Sequence, residues 1–155
     1  MNNYKIESNS AKETIKIANK IAQNANVGDI IILTGDLGAG KTKFVEGFLE
    51  NFGLQNEISS PTFNIVNEYK TSNINIYHFD VYRLESIDEF YEIGGEEYFE
   101  KGICLIEWGE NLKEVLPSNH LQIIISKDEF DENKRYFEFV AYGNAVNLLE
   151  KIRNI

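Results

Sequence analysis

The sequence predicts an α/β fold, a mostly parallel central sheet flanked by helices and extended by a β-hairpin. Three stretches predict it. Ile30-Ile31-Ile32-Leu33-Thr34 is β-branched and apolar on both faces, as a strand covered by helices on both sides must be, and helical spacing of Phe44, Val45, Phe48 and Leu49 follows it. Ile103-Cys104-Leu105-Ile106 is a second strand candidate of the same kind. Between them, residues 63–69, with one slip, and 74–79 alternate with period two on either side of Thr71-Ser72-Asn73, the pattern of a hairpin. With 155 residues, 43% hydrophobic and 26% charged, the chain has ordinary globular composition and suffices for one core but is short for two. A single domain over residues 1–155 is therefore expected.

Taken in order, Tyr4-Lys5-Ile6-Glu7 fits a short edge strand, and Ala11, Ile15, Ala18, Ala22 and Ala25 then recur at helical spacing. Ser10 and Glu13 have the spacing of a capping box, so the first helix is expected from about residue 10 to 25. Val27-Gly28-Asp29 turns the chain into the strand at 30–34, and the next helix stops near Phe52-Gly53. Ser59-Ser60-Pro61-Thr62-Phe63 is a polar turn before the hairpin. From Glu85 to Glu100 seven carboxylates interleave with Phe90, Tyr91, Ile93, Tyr98 and Phe99, which predicts two short amphipathic helices broken at Gly94-Gly95 with a solvated acidic face. Asn111 to Leu116 reads as helical until Pro117, Leu121–Ile125 and Tyr136–Tyr142 as strands, and Ala145, Leu148, Leu149 and Ile152 as the stripe of a last helix.

Chemistry enters between the first strand and its helix. Gly35, Gly40, Lys41 and Thr42 fill the template G-x-x-x-x-G-K-[ST], and a strand before with a helix after is the context that template requires. The fold is thus expected to be P-loop NTPase-like. Glycines let the backbone of Gly35, Asp36, Leu37, Gly38, Ala39 and Gly40 turn its N–H groups toward a polyphosphate, at the positive end of the following helix. Lys41 is expected to reach the β- and γ-phosphates. The Thr42 hydroxyl is expected to ligate a bridging Mg²⁺, a cation that takes oxygen ligands.

A carboxylate at the end of a strand beside the loop serves either the metal or the attacking water, and Asp80 and Glu107 occupy such positions. The more completely apolar strand precedes Glu107, which is assigned to Mg²⁺; Asp80 is then the group that orients water, and Thr62 a γ-phosphate sensor. Turn capping by Asp80 and pairing of Glu107 with a surface base are the structural alternatives. Trp108 could stack on adenine or pack in the interior. His78, inside a strand, reads as a core or orienting histidine. Cys104 lies in an apolar run and reads as buried, and the two histidines and one cysteine have no zinc spacing.

The net charge of −10 argues against direct nucleic-acid binding, which depends on basic side chains, so any nucleic-acid role is expected to run through a partner. No apolar stretch has the length to cross a bilayer and the first residues lack a signal-peptide core, so a cytoplasmic protein with no membrane association is expected.

Gly35-Asp36-Leu37-Gly38-Ala39-Gly40-Lys41-Thr42, Ser60-Pro61-Thr62-Phe63, His78-Phe79-Asp80-Val81-Tyr82-Arg83-Leu84 and Ile106-Glu107-Trp108, in this order, resemble the TsaE family, formerly YjeE. The resemblance covers nearly the whole chain. It implies a small bacterial ATPase that uses ATP and Mg²⁺ and works with the TsaB and TsaD proteins in making threonylcarbamoyladenosine in tRNA, touching tRNA only indirectly. It also implies Lys41 and Thr42 on phosphates and Mg²⁺, Glu107 on Mg²⁺, Asp80 in hydrolysis, and Thr14, Trp108 and Arg135 near the adenine. The rivals are a small-molecule kinase, a GTPase, and a nucleotide-gated binding module in which hydrolysis is incidental. Residues 85–100 carry no arginine for a phosphate-covering lid, and no N-K-x-D guanine-reading sequence occurs.

Overall fold

In the computed structural model, which describes residues 3–36, 38–54, 56–57, 65–82, 84–108 and 112–153, the elements follow one another as β1 (Asn3–Ser8), α1 (Ala11–Asn24), β2 (Ile30–Thr34), α2 (Lys41–Glu50), β3 (Val66–Lys70), β4 (Asn75–Asp80), α3 (Ile87–Glu92), a 3₁₀ helix (Gly95–Glu100), β5 (Ile103–Glu107), β6 (His120–Lys127), β7 (Arg135–Tyr142), a 3₁₀ turn (Gly143–Ala145) and α4 (Val146–Arg153). The described strands form one sheet in the order β1-β7-β6-β2-β5-β4-β3. Its centre is parallel, since β2 lies between β5 and β6 and β4 adds to β5, all in the same direction. Antiparallel strands finish both edges: β3 folds back on β4 as the expected hairpin, and β7 joins β6 to β1.

The two central strands are the two apolar runs. Because successive side chains point to opposite faces, Ile31, Leu33 and Leu105 pack with Ala18, Phe44, Phe48 and Leu149 of α1, α2 and α4. Ile30, Ile32 and Ile106 meet Phe79, Phe90 and Phe99 on the other face. Cys104 is fully buried in that second layer, and burial pushes its thiol up to about 12, so it behaves as a small apolar side chain. Helices α1 and α2 lie close because Gly47 has no side chain; a Cβ there would come within 2.6 Å of the Ile15 carbonyl oxygen.

Ser10 caps α1 as expected, with Glu13 reaching back one residue beyond the cap. Glu13 N–H donates to Ser10 Oγ (3.1 Å), and Asn9 N–H donates to Glu13 Oε2 (2.6 Å). Two local expectations change, and a third falls partly outside the described residues. Leu112 has 3₁₀ backbone and residues 113–116 form tight turns instead of an α-helix, with the N–H groups of Val115 and Leu116 both donating to the Leu112 carbonyl. Pro117 biases its predecessor away from helical backbone, and too few residues remain to nucleate a helix; Asn111 lies outside the described residues. The second acidic helix is 3₁₀, entered through Gly94 in the left-handed region (φ 70°) and packed so closely that a Cβ on Gly95 would lie 2.4 Å from the Phe90 ring. Strand β3 is described from Val66, while Phe63 and Asn64 lie outside the described residues.

Candidate functional site

Parallel strands that point the same way bring their carboxyl ends to one edge, where ligands of open α/β sheets bind. Here β2 ends at Thr34, β4 at Asp80 and β5 at Glu107. Asp80 and Glu107 are direct neighbours across the strands, and Glu107 is in turn level with Leu33, two residues before the glycine loop. The topology thus gathers the loop and both carboxylates, which are far apart in sequence.

The loop needs its glycines. A Cβ on Gly35 would lie 2.5 Å from the Ile125 carbonyl oxygen, and Gly40 caps α2 with a left-handed backbone (φ 111°) that a side chain would strain. The Ala39 N–H donates to the Asp36 carbonyl (3.0 Å) and the Phe44 N–H to that of Gly40 (2.9 Å), so the chain passes from loop to helix without a break. Asp36 and Gly38 are exposed and Ala39 is buried; Leu37 lies outside the described residues.

Lys41, the first residue of α2, is only 6% exposed. Its ammonium donates to the Gly35 carbonyl and lies 3.9 Å from the centroid of the Trp108 ring, a cation–π contact. Thr42 beside it is exposed, with its hydroxyl in the first turn of the helix. Lys127, at the end of β6, is a second cation at the loop that the sequence does not point to; a Cβ on Gly38 would lie 3.0 Å from its Nζ.

Glu107 is 8% exposed and its partner is another buried group, not a surface base: Oε2 lies 2.6 Å from Nε2 of His78. Asp80 is half-buried, and its Oδ1 accepts the Tyr82 N–H (3.1 Å), the turn-capping bond that was its structural alternative. Among the described residues no hydrogen bond to the other carboxylate oxygen of Asp80 accompanies it. Trp108, the one described non-glycine residue with positive φ (65°), packs against Tyr82 with ring centroids 4.9 Å apart. Tyr82 is 63% exposed, so this aromatic pair reaches from Lys41 to the surface.

Thr14 and Arg135 converge on the other side of the loop. Together with Ala11, Gly40, Lys43, Glu132 and Asn133 they line a cavity of about 80 Å³. Thr14 is buried in the first turn of α1, its hydroxyl 2.8 Å from that of Ser8. Arg135 donates from Nε to the Ala39 carbonyl (3.0 Å) and from one terminal nitrogen to the carbonyls of Glu132 and Lys134 (2.7 and 2.9 Å), tying the β6–β7 connection to the loop. Asp128 orders the same connection. Its carboxyl is held down at about 2 by hydrogen bonds from the Tyr136 hydroxyl and from the N–H groups of Asp131 and Phe130. The structure therefore groups Thr14 with Arg135 beside Gly40 and sets the Trp108 ring over the Lys41 ammonium. Thr62 and Arg83 lie outside the described residues.

The donors suit a hard cation and a polyphosphate. Thr42 and Glu107 supply oxygen only, as Mg²⁺ requires, and the N-terminus of α2 with Lys41 supplies positive charge. Among the described residues no group of three or more histidine, cysteine or acidic side chains is placed to hold a metal by itself. Mg²⁺ commonly binds through one or two protein oxygens and the phosphates, and this donor set is of that kind.

Comparison with known proteins adds a family. Residues 8–137 match the model of the family described as threonylcarbamoyl adenosine biosynthesis protein TsaE. The chain is 45% identical over 139 residues to the tRNA threonylcarbamoyladenosine biosynthesis protein TsaE of Bacillus subtilis, covering 89% of this chain and 85% of that one. A Rickettsia felis protein of the same description is 41% identical over 143 residues, 92% of this chain and 82% of its own. The fold is similar to a crystal structure of Bacillus subtilis YdiB, with a TM-score of 0.78 and 37% identity over 98% of this chain and 95% of that one.

Proposed function

We propose, because the chain belongs to the TsaE family of threonylcarbamoyladenosine biosynthesis, that it is a single-domain cytoplasmic ATPase that hydrolyses ATP with Mg²⁺ and serves tRNA modification through TsaB and TsaD. The observation that carries the reading is the placement of the glycine loop and Lys41 beside Glu107 and Asp80 at one edge of the parallel strands. No described helix is long and apolar enough to cross a membrane, in keeping with the proposed location.

In this reading the backbone N–H groups of residues 35–40, together with the N-terminus of α2, bind the phosphates, and Lys41 neutralises the charge that builds on the terminal one. Thr14 and Arg135 bound the side of the loop where the cavity opens, and they hold the base. Asp80 orients the attacking water with the carboxylate oxygen that does not cap the turn. Thr42 and Glu107 would hold the cation. Bound there, Mg²⁺ supplies Lewis-acid stabilisation of phosphate charge. The family acts in tRNA modification, yet this chain carries net charge −10, so contact with tRNA belongs to its partners.

Equilibrium titration with ATP and with GTP, each with Mg²⁺, tests nucleotide choice. ATP is expected to bind at micromolar concentrations and GTP far more weakly. Equal affinity for the two would remove Thr14 and Arg135 as readers of adenine.

A further inference from the structure

We infer that His78 is a positioning residue whose imidazole fixes the Glu107 carboxylate in the orientation that binds the cation. The inference rests on the reading of Glu107 as a metal ligand and adds a residue to it. His78 and Glu107 stand on neighbouring parallel strands, 3% and 8% exposed, with Nε2 and Oε2 2.6 Å apart. They share the sheet face that carries α2, because Ile76 and Leu105, each two residues away along its own strand, pack in that layer. At this separation Nε2 carries the proton and donates it to the carboxylate, which sets the tautomer.

Three features make this more than a satisfied core histidine. First, Nδ1 is buried without a hydrogen-bond partner among the described residues. A ring with half its polar capacity unmet is a poor choice for stability alone, and an apolar residue would pack there at less cost. Second, Glu107 lies level with Asp80, so two carboxylates sit side by side. A donor on one oxygen of Glu107 holds that carboxylate in place beside its neighbour. Third, a carboxylate that accepts from a neighbour through one oxygen has its rotation about the terminal bond stopped, which presents the other oxygen in one direction. Groups of this kind behind a metal ligand commonly change metal affinity ten- to a hundredfold.

The test uses ADP and Mg²⁺ with the intact chain and follows emission of Trp108, the one tryptophan, which adjoins Glu107. ADP is titrated in EDTA and at graded Mg²⁺ concentrations against wild type, His78→Ala and His78→Gln. Gln can place its amide nitrogen where Nε2 stands. His78→Ala is expected to keep its ADP affinity in EDTA within about twofold while the Mg²⁺ concentration for half-effect rises roughly tenfold or more, and His78→Gln to recover most of the loss. Should His78→Ala fail to fold, His78→Asn, too short to reach Glu107, takes its place against His78→Gln. An unchanged Mg²⁺ half-point in the variant that lacks the donor overturns the inference, and so does equal loss of ADP affinity with and without Mg²⁺. If instead wild type shows no Mg²⁺ effect and Glu107→Ala matches it, the metal assignment of Glu107 fails and the inference falls with it.

Discussion

Replacing Lys41 with alanine is expected to abolish tight ATP binding and to leave the fold standing. The ammonium is nearly buried between the Gly35 carbonyl and the Trp108 ring, inside the loop that would receive the phosphates. Hydrogen bonds to charged groups contribute about 1.5–3 kcal/mol each, and a lysine that meets two phosphates makes more than one. The loss of affinity is accordingly on the order of a hundredfold or greater. Stability should change little, because alanine is a good helix former and the variant no longer desolvates an ammonium, while the partners left behind are a half-buried backbone carbonyl and an aromatic ring. Circular dichroism and the thermal midpoint check that half of the prediction. Wild-type ATP affinity in the variant would move the phosphates away from this loop.

The second large effect concerns Asp80, and the structure sharpens how it must be measured. Its Oδ1 caps a turn through the Tyr82 N–H, so loss of activity in Asp80→Ala could come from a displaced chain. Asp80→Asn separates the two roles, because an amide oxygen still accepts from Tyr82 while the charge and the proton acceptor are gone. Both variants should bind ATP nearly as wild type does and turn it over slower by a factor on the order of a hundred or more, the usual contribution of a residue that positions or deprotonates the attacking oxygen. If Asp80→Asn turns over like wild type, the residue is a turn cap and the water is oriented elsewhere.

These predictions draw on parts of the molecule that sequence reveals unequally. Residues 30–33 and 103–106 were readable as central strands because burial on both faces fills them with apolar side chains. The glycine loop was readable because the backbone geometry at Gly35 and Gly40 excludes side chains. Helix α1 announced itself through Ser10 and Glu13, whose capping bonds are local. Strand order is different in kind. Nothing local says that β5 inserts between β2 and β4, and only that insertion brings Glu107 beside Asp80 and within reach of His78. For the same reason, the meeting of Thr14 with Arg135 beside Gly40 depends on how α1 and β7 pack, which no window of sequence contains.

Trp108 illustrates a second limit. Sequence left it between adenine stacking and packing, and family resemblance set it with Thr14 and Arg135. In the structure the backbone turns left-handed immediately after Glu107, and the ring lies over Lys41 with Tyr82 behind it. The positive φ at Trp108 accompanies that placement, and the sign of a backbone dihedral is not written in residue type.

Release of phosphate from ATP, measured for the chain alone and with purified TsaB and TsaD and with no small-molecule acceptor present, bears most directly on the proposed function. A marked rise in rate when both partners are added, lost in Lys41→Ala, is the outcome expected of a partner-controlled ATPase. A rate indifferent to the partners, with phosphate transferred only when a metabolite is supplied, would contradict it and make the chain a kinase.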